Sequence, residues 1–423
     1  MTRDRLITAG LLVGIILVIV AFYARFVNNY FAYDDFVLME HVLHGPAKVL
    51  RGYNNILRVV ANLFFWPLSW FSWFDPLGFN LFSIGLLCLN ALLLFFFARQ
   101  LIGSQTQAAL CALMFAGSSV GCDAIFWKAA YATQLNLFFY LATLMAYHRY
   151  RTTGRTVLYG VSTGIFLLAM LSKEEAASIP FLIILMELLI LRSRLDWQVI
   201  RRTVPYAAII VLYMVVNYIL IYHLFKGESE LVKHSAFRPL HTLLSPWTVF
   251  FISPEGRITG TGLATVATGI ALAAALLFTR DRRVMLFGIG WVFFAFLPQS
   301  FSSLSEYDPK YIFNSISRHL YLPSVGASIV VSSLLMQLRE RLPFGRIAVI
   351  VLIAGHLLFH YGRVQERGRQ WGEEGVPVKA YYEELAKVLP RIPPNTHFYI
   401  NSPPTGRAYM QLSMRTFSAN ASL

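Results

Sequence analysis

Charged residues are scarce in this chain. They make up 14% of its 423 residues, whereas apolar side chains make up 57%. A soluble domain typically carries roughly 25% charged residues, so this composition excludes a chain built of soluble domains. Outside the apolar runs, only the residues from 363 onward leave room for a folded polar unit.

Cysteine is also scarce. Cys88, Cys111 and Cys122 lie in or near apolar segments and lack the spacing of metal ligands, so we interpret them as packing residues. The short connections between apolar runs contain no glycine-rich phosphate loop and cannot house a nucleotide-binding domain. We therefore expect no nucleotide chemistry in these connections.

What the chain does contain is a series of apolar runs. A run of roughly 20 apolar residues crosses the hydrocarbon core as a helix, and a bilayer requires every backbone polar group to be bonded internally. We predict an all-α polytopic membrane protein of about 11 helices, the first of which is uncleaved. The predicted spans are 6–27, 78–98, 106–121, 130–147, 156–171, 177–191, 203–224, 258–279, 284–302, 320–338 and 345–362.

The net charge of +14 is explained by topology. If the N-terminus is cytoplasmic, alternation of the loops places the short arginine-rich segments in the cytoplasm, among them HRYRTTGR, RSRLDWQVIRR, RDRR and RERLPFGR. This is the positive-inside pattern. It predicts an extracytoplasmic C-terminus and gives no reason to expect a nucleic-acid partner.

The long polar segments then lie outside: 28–77, 225–257, 303–319 and the tail from 363. Segment 28–77 is rich in tryptophan and phenylalanine towards its end, which is typical of helices that lie in the membrane interface. Nucleoside triphosphates are not supplied on this side. An activated substrate must therefore arrive through the membrane, most plausibly as a lipid phosphate.

Asp34 and Asp35 open the first outer segment. A carboxylate at the bilayer boundary can act as general base towards an acceptor hydroxyl, and its neighbour can orient the acceptor or bind an ion. A cap for a short helix that begins near residue 36 explains the pair equally well. Arg58, later in the same segment, is a further cation on this side.

Two more clusters are expected on the outer side. Lys173 and Glu174 follow the predicted span 156–171, where a lysine suits a phosphate group; a solvated turn is the alternative interpretation. Arg318, His319 and Tyr321 precede or open the span 320–338. An arginine there can hold phosphate oxygens in a bidentate contact, and an arginine that extends to the interface is the alternative.

Two other groups of charged residues have simpler explanations. Glu40, His41 and His44 have the spacing of ligands on one helix face, but a solvated face of an interfacial helix explains them better. Glu187 lies in the inner half of its span, where pairing with Arg192 or Arg194 accounts for it. No residue is therefore assigned to a metal.

Several motifs together resemble one family. They are Asp34-Asp35 after the first span, LSKEE followed by Pro180, SRHLYLPSVG, the stretch from Asp123 that begins DAIFWKAAY, and the span that begins FNLFSIGLL. The first three occur along the chain in the order seen in GT-C glycosyltransferases. With the other two they resemble most of all the branch with the protein O-mannosyltransferases and the transmembrane-and-tetratricopeptide O-mannosyltransferases. The resemblance covers residues 6–362.

The resemblance implies transfer of a sugar from a polyprenyl-phosphate donor to an acceptor protein, lipid or glycan at the outer face. It implies that Asp34 and Asp35 are the catalytic acid pair, with the first as the base, and that Lys173 and Arg318 contact the donor phosphate. Glu174, Arg58, Asp123, His319 and Tyr321 are candidate supporting residues. No cofactor is required besides the lipid-linked donor, although a divalent metal ion stays an open alternative.

The chain departs from the family in two places. Asp35 stands where the O-mannosyltransferases commonly have Glu, and no tetratricopeptide repeat follows residue 362. We expect a membrane domain over 1–362 and a small extracytoplasmic α/β appendage over 363–423, in a bacterial inner membrane. A lipid or small-molecule transporter or flippase, and a catalytically silent subunit with the same fold, are the alternative functions.

Overall fold

A computed structural model of the chain describes residues 3–36, 38, 57–71, 75–219, 246–247, 262–301 and 316–388. Glu40, His41 and His44, and the strand expected in the tail after residue 388, lie outside these ranges. Within the described ranges the secondary structure is helical, and no residue there is in a strand. The predicted all-α class is therefore confirmed.

Thirteen α-helices lie in the described ranges. The first seven are α1 (Arg3–Tyr23), α2 (Val59–Phe71), α3 (Pro76–Ile102), α4 (Gln105–Ala116), α5 (Asp123–Phe126), α6 (Tyr131–Thr153) and α7 (Thr156–Met170). The others are α8 (Ile179–Leu189), α9 (Trp197–Tyr218), α10 (Gly262–Phe278), α11 (Arg282–Phe296), α12 (Pro323–Arg341) and α13 (Gly345–Val388). Each of the eleven predicted spans overlaps one of these helices.

Four of the described helical stretches are long and apolar enough to cross a membrane by length and composition. They are Asp4–Phe26, Pro76–Ile102, Trp197–Tyr218 and Gly345–Glu384. The number of eleven crossings stays a prediction, because several of the intervening helices are shorter or more polar than a full span.

The helices pack as one bundle around a continuous apolar core. The most extensive contacts join α6 to α7, α11 to α12, and α3 to both α4 and α6. Helix α1 lies against α3 and α4, and α8 lies against α11. This arrangement brings the loops after α1, before α6, after α7 and before α12 to one end of the bundle, called here the site end.

A buried ionic cluster lies around Glu187 on α8. Its carboxylate accepts from Arg151 Nε at 2.5 Å and from the Tyr147 hydroxyl at 2.7 Å, and Arg202 Nη1 lies 3.5 Å away. The expected pairing with Arg192 or Arg194 is therefore wrong. The end of α6 and the start of α9 lie beside α8 in space, although they are further away along the chain.

Helix α13 is longer than its predicted span 345–362. It contains 44 residues, so it is about 66 Å long, more than twice the ~30 Å thickness of a hydrocarbon core. The part after residue 362 is polar and continues without a break, with ion pairs on its surface such as Arg369–Glu373 at 3.0 Å. The expected boundary between membrane domain and appendage thus falls inside a helix.

Helices α11 and α12 approach closely at two glycines. A Cβ atom on Gly326 would lie 2.4 Å from the Gly288 carbonyl oxygen, and one on Gly288 would lie 2.9 Å from the Gly326 oxygen. These neighbours are backbone atoms, so a side chain at either position forces the helices apart. Gly164 on α7, in contrast, has nothing within 4 Å of the added atom.

We expect Gly326→Ala to destabilise the protein by roughly 1–3 kcal/mol, because it overpacks a helix contact. Gly164→Ala should be neutral or stabilising by up to ~1 kcal/mol, since alanine is the better helix former. Thermal unfolding of both variants in the same detergent measures the difference. Equal unfolding temperatures would contradict the close helix contact.

Candidate active site

Charged side chains from separate segments meet at the site end. The segments are the loop after α1, the residues before α2, the loop that holds α5 and the 3₁₀ turn Lys128–Ala130, the 3₁₀ turn Glu174–Ser178, and the 3₁₀ turn Ile316–Leu320. Their charges lie among apolar helix ends, where an ion is stable only if it is paired or hydrogen-bonded.

Asp35 is buried and holds two loops together. Its Oδ2 accepts from the Ala32 N–H at 3.0 Å and its Oδ1 from the Ala129 N–H at 2.7 Å. Burial raises the pKa of Asp35 to about 6, against the opposing effects of Lys128 and the two N–H donors. Both oxygens are therefore occupied by backbone groups.

Lys128 is the buried cation near Asp35. Its Nζ donates to the Asn29 carbonyl at 2.8 Å and to the Tyr30 carbonyl at 3.0 Å. Burial lowers the pKa of Lys128 to about 8, and the charge of Asp35 opposes this shift. Lys128 thus ties the loop after α1 to the loop that contains α5.

Asp34 differs from its neighbour because it is half-buried. Its carbonyl accepts from the Leu38 N–H at 3.1 Å, so it stands at the N-terminal position of a helical turn that starts at Asp35. This agrees with the capping alternative for the backbone. The negative charge of the Asp34 carboxylate opposes the effect of burial on the pKa of Arg318.

Arg58 and Glu174 form a two-pronged ion pair. Arg58 Nη2 donates to Glu174 Oε1 at 2.7 Å, and Arg58 Nε donates to Oε2 at 3.1 Å. Such a fork gives both charge and geometry. The pair joins the segment before α2 to the turn after α7, and it brings together two of the predicted supporting residues.

Lys173 is buried and already has a counterion. Its Nζ lies 2.8 Å from Glu175 Oε1 and donates to the Thr133 hydroxyl at 2.7 Å. Gln299 Nε2 also donates to Glu175 Oε1, at 2.5 Å. Burial alone would raise the pKa of Glu175, but Lys173 and His319 outweigh it and lower that pKa to about 2.

His319 connects Glu175 to Arg318. Its Nδ1 lies 3.4 Å from Glu175 Oε1, and its Nε2 accepts from Arg318 Nε at 3.1 Å. Burial lowers the pKa of His319 to about 4; Glu175 opposes this, while Arg318 and Lys173 reinforce it. The imidazole is therefore neutral at pH 7, with its proton on Nδ1.

Arg318 lies over the ring of Trp127, with its guanidinium carbon 4.4 Å from the ring centre. Burial lowers the pKa of Arg318, and the carboxylates of Asp34 and Asp123 partly offset that effect. A cation over tryptophan is attracted by the negative ring face. His319 thus holds the guanidinium at its Nε edge, and Trp127 holds the orientation of its plane.

Asp123 is buried and bound by the distal part of α13. Arg367 donates from Nε to Oδ1 at 2.7 Å and from Nη2 to Oδ2 at 2.8 Å, and Trp371 Nε1 donates to Oδ1 at 2.8 Å. Its charge is therefore met by an arginine fork.

Tyr321 points away from this network. It is buried, and its hydroxyl accepts from Asn90 Nδ2 on α3 at 3.1 Å, while its ring packs against Phe115. The other predicted site residues all belong to the site end. A group of three or more His, Cys, Asp and Glu side chains with metal-ligand geometry does not occur in the described ranges, and Asp35 and Asp123 direct their oxygens at N–H donors.

The sequence analysis missed several residues of the described network, among them Trp127, Lys128, Arg367 and Trp371. Lys128 carries the same signal as Lys173, a lone lysine between apolar runs, and could have been found. Arg367 and Trp371 lie in the stretch expected to be an appendage. Only the unbroken continuation of α13 brings them to Asp123.

Two solved structures resemble the whole bundle. An oligosaccharyltransferase from Archaeoglobus fulgidus in its apo form matches 95% of this chain with a TM-score of 0.52 and 12% sequence identity. ArnT from Cupriavidus metallidurans bound to undecaprenyl phosphate matches 97% of it with a TM-score of 0.51 and 12% identity. At this identity the likeness shows a shared fold and nothing beyond it.

This chain is shorter than both proteins. It spans 75% of ArnT but only 55% and 60% of two structures of the oligosaccharyltransferase. No family model matches the sequence, and neither does any curated protein. The agreement is therefore one of three-dimensional architecture.

His319 should make the protein sensitive to acid. An unfolded histidine binds a proton near pH 6.5, whereas folded His319 has a pKa of about 4. Between these values the unfolded state binds more protons, so the free energy of unfolding should fall as pH is lowered from 6.5 to 4.

His319→Gln should flatten this dependence, since its amide can donate to Glu175 or accept from Arg318 and does not titrate. Denaturant unfolding in detergent at pH 7, 6 and 5 measures the slope for the two proteins. Parallel slopes would show that His319 is not the group responsible.

Proposed function

We propose that this protein is a GT-C glycosyltransferase which moves a sugar from a polyprenyl-phosphate donor to an acceptor hydroxyl at the extracytoplasmic face. The observation that carries the proposal is that the Asp34–Asp35 loop and Arg318 meet the same segment. Asp35 accepts from the Ala129 N–H, and Arg318 lies over the ring of Trp127, two residues earlier, so a candidate base and a candidate phosphate ligand come from one site. The fold supports it, because ArnT, which shares that fold, binds undecaprenyl phosphate in its solved structure.

In the proposed reaction Asp34 accepts the proton of the acceptor hydroxyl. The acceptor oxygen attacks the anomeric carbon, and the bond from that carbon to the phosphate oxygen breaks. Attack opposite the leaving group inverts the configuration of the carbon. Arg318 neutralises charge that develops on the departing polyprenyl phosphate, which is where fixed positive charge lowers a barrier most.

The contacts favour supporting roles for two other residues expected to act directly. Asp35 already accepts two backbone N–H bonds. We therefore assign it the role of holding the loop that carries Asp34 in place. Lys173 pairs with Glu175, and through Glu175 and His319 it holds the edge of Arg318. We assign direct contact with the donor phosphate to Arg318 and an indirect role to Lys173.

The acceptor is a hydroxyl group of a protein, lipid or glycan of the cell envelope. We place the enzyme in a bacterial inner membrane, with the site end outward.

Asp34→Asn should lower sugar transfer by about 100- to 10,000-fold, the usual contribution of a general base, because an amide cannot take the acceptor proton. The assay is transfer from a labelled undecaprenyl-phosphate sugar in membranes that contain the acceptor. Asp281→Asn, an exposed position at the start of α11, is the matched control and should keep full activity. Full activity in Asp34→Asn would refute the assignment of the base.

The sidedness can be tested by cysteine labelling in a chain whose three native cysteines are replaced by alanine. Glu373→Cys, exposed on α13, should react with a membrane-impermeant maleimide added from outside. Asp196→Cys, exposed before α9, should react only after the membrane is opened. The reverse pattern would place the site end in the cytoplasm and refute the proposed sidedness.

A further inference from the structure

The distal half of α13, residues 363–388, is packed against the site end. Its glycines allow the approach: a Cβ on Gly368 would lie 2.6 Å from the Phe26 ring, and one on Gly375 would lie 2.9 Å from Tyr30 Cβ. Asn29 Nδ2 donates to the Gly368 carbonyl at 2.7 Å. The helix therefore lies directly along the loop that leads to Asp34.

On the side of the site that contains Asp34, called here the acidic side, the distal half of α13 contacts Tyr33, the residue before Asp34. Tyr33 has a φ of 51°, in the left-handed region that a tyrosine adopts only when its surroundings enforce it. Its hydroxyl donates to Glu374, and its ring meets the Trp371 ring edge-on at 6.1 Å and 83°. These contacts hold the backbone conformation from which Asp34 projects.

On the side that contains Arg318, called here the cationic side, Trp371 supports Arg318 through Trp127. The rings of Trp371 and Trp127 are stacked, with centres 5.7 Å apart and planes at 28°, and the guanidinium of Arg318 lies over the same Trp127 ring. Both tryptophans are buried, so neither ring can move without displacing its neighbour. The bond from Trp371 Nε1 to Asp123 fixes the indole in its plane.

Trp371 is thus in contact with the neighbours of both groups that the reaction uses. The order of contacts is Tyr33, Trp371, Trp127, Arg318, and it crosses from the acidic to the cationic side of the site. From this geometry we infer that Trp371 is a positioning residue that sets the separation between the Asp34 carboxylate and the Arg318 guanidinium. The inference rests on the proposed function and adds to it a role for the last helix.

A change in that separation should affect turnover more than donor binding. A shift of about 1 Å in a catalytic group can cost about 100-fold in rate. We expect Trp371→Ala to lower kcat by about this factor, with a much smaller change in KM for the labelled undecaprenyl-phosphate sugar. Trp371→Phe, which keeps a ring for stacking on Trp127, should recover most of the loss.

The two adjacent glutamates on α13 supply a matched pair. Glu374→Gln weakens the bond to Tyr33, whereas Glu373→Gln alters an exposed side chain whose partner is Arg369 on the same helix. We expect a lowered kcat for Glu374→Gln and unchanged kinetics for Glu373→Gln. Tyr33→Phe removes the same hydroxyl contact from the other side and keeps the test valid if Trp371→Ala folds poorly.

A double-mutant cycle separates positioning from general stability. If Trp371 acts through Arg318, then adding Trp371→Ala to an Arg318→Ala background should cost little more, because residues that act as a unit are not additive. A full additional loss, or a kcat in Trp371→Ala equal to that of the parent, would overturn the inference.

Binding of undecaprenyl phosphate without a sugar distinguishes this inference from the proposed function. If the parent protein transfers sugar and Trp371→Ala is fully active, the inference fails and the function stands. If the parent binds the lipid phosphate but transfers no sugar, the proposed function fails. Trp371→Ala should bind the lipid phosphate nearly as well as the parent, whereas Arg318→Ala should not, and loss of binding in Trp371→Ala would overturn the positioning role.

Discussion

The structure depends on the pairing of buried charges at one end of an apolar bundle. An isolated ion among helix ends would be strongly unfavourable, and removal of one partner of a buried pair typically costs about 3–5 kcal/mol. Arg58 with Glu174 and Asp123 with Arg367 join segments that are distant in sequence. Lys173 and Glu175 lie in one turn, and their contacts with Thr133 and His319 join that turn to two distant segments. The pairs therefore fix which loops meet, and they give the site its shape.

Two groups differ from the others in this network. Asp34 is the half-buried member of its acid pair, and Arg318 is held from its edge by His319 and from its plane by Trp127. The remaining charges neutralise or orient one another. In the proposed function this division gives one base, Asp34, and one phosphate ligand, Arg318. The family resemblance implies an acid pair whose first member is the base, and two phosphate ligands.

The last helix, α13, contacts the loops that form the site. Helix α13 runs well beyond the length of a membrane span, and its distal half contacts the loop after α1 and the loop that holds α5. Those loops carry Asp34 and support Arg318. A helix that begins in the bundle and ends beside the site can couple the packing of the membrane domain to the alignment of the reactive groups.

Much of this could be predicted from the sequence, because the signals are local. Apolar runs predict helices, and each predicted span overlaps a helix. Carboxylates and cations between such runs predict a polar site, and the predicted Asp34, Glu174 and Arg318 lie at the site end. The partners could not be predicted. These are contacts between residues that are far apart along the chain, or contacts that depend on side-chain direction. They include the pairing of Asp123 with Arg367, the stack of Trp371 on Trp127, and the use of both Asp35 oxygens by backbone N–H groups.

The sequence by itself determined which segments are helical and where charge is concentrated, since hydrophobicity acts residue by residue. Only the tertiary structure decided which charges neutralise each other and which remain for chemistry, since that depends on distances of a few ångströms between separate helices.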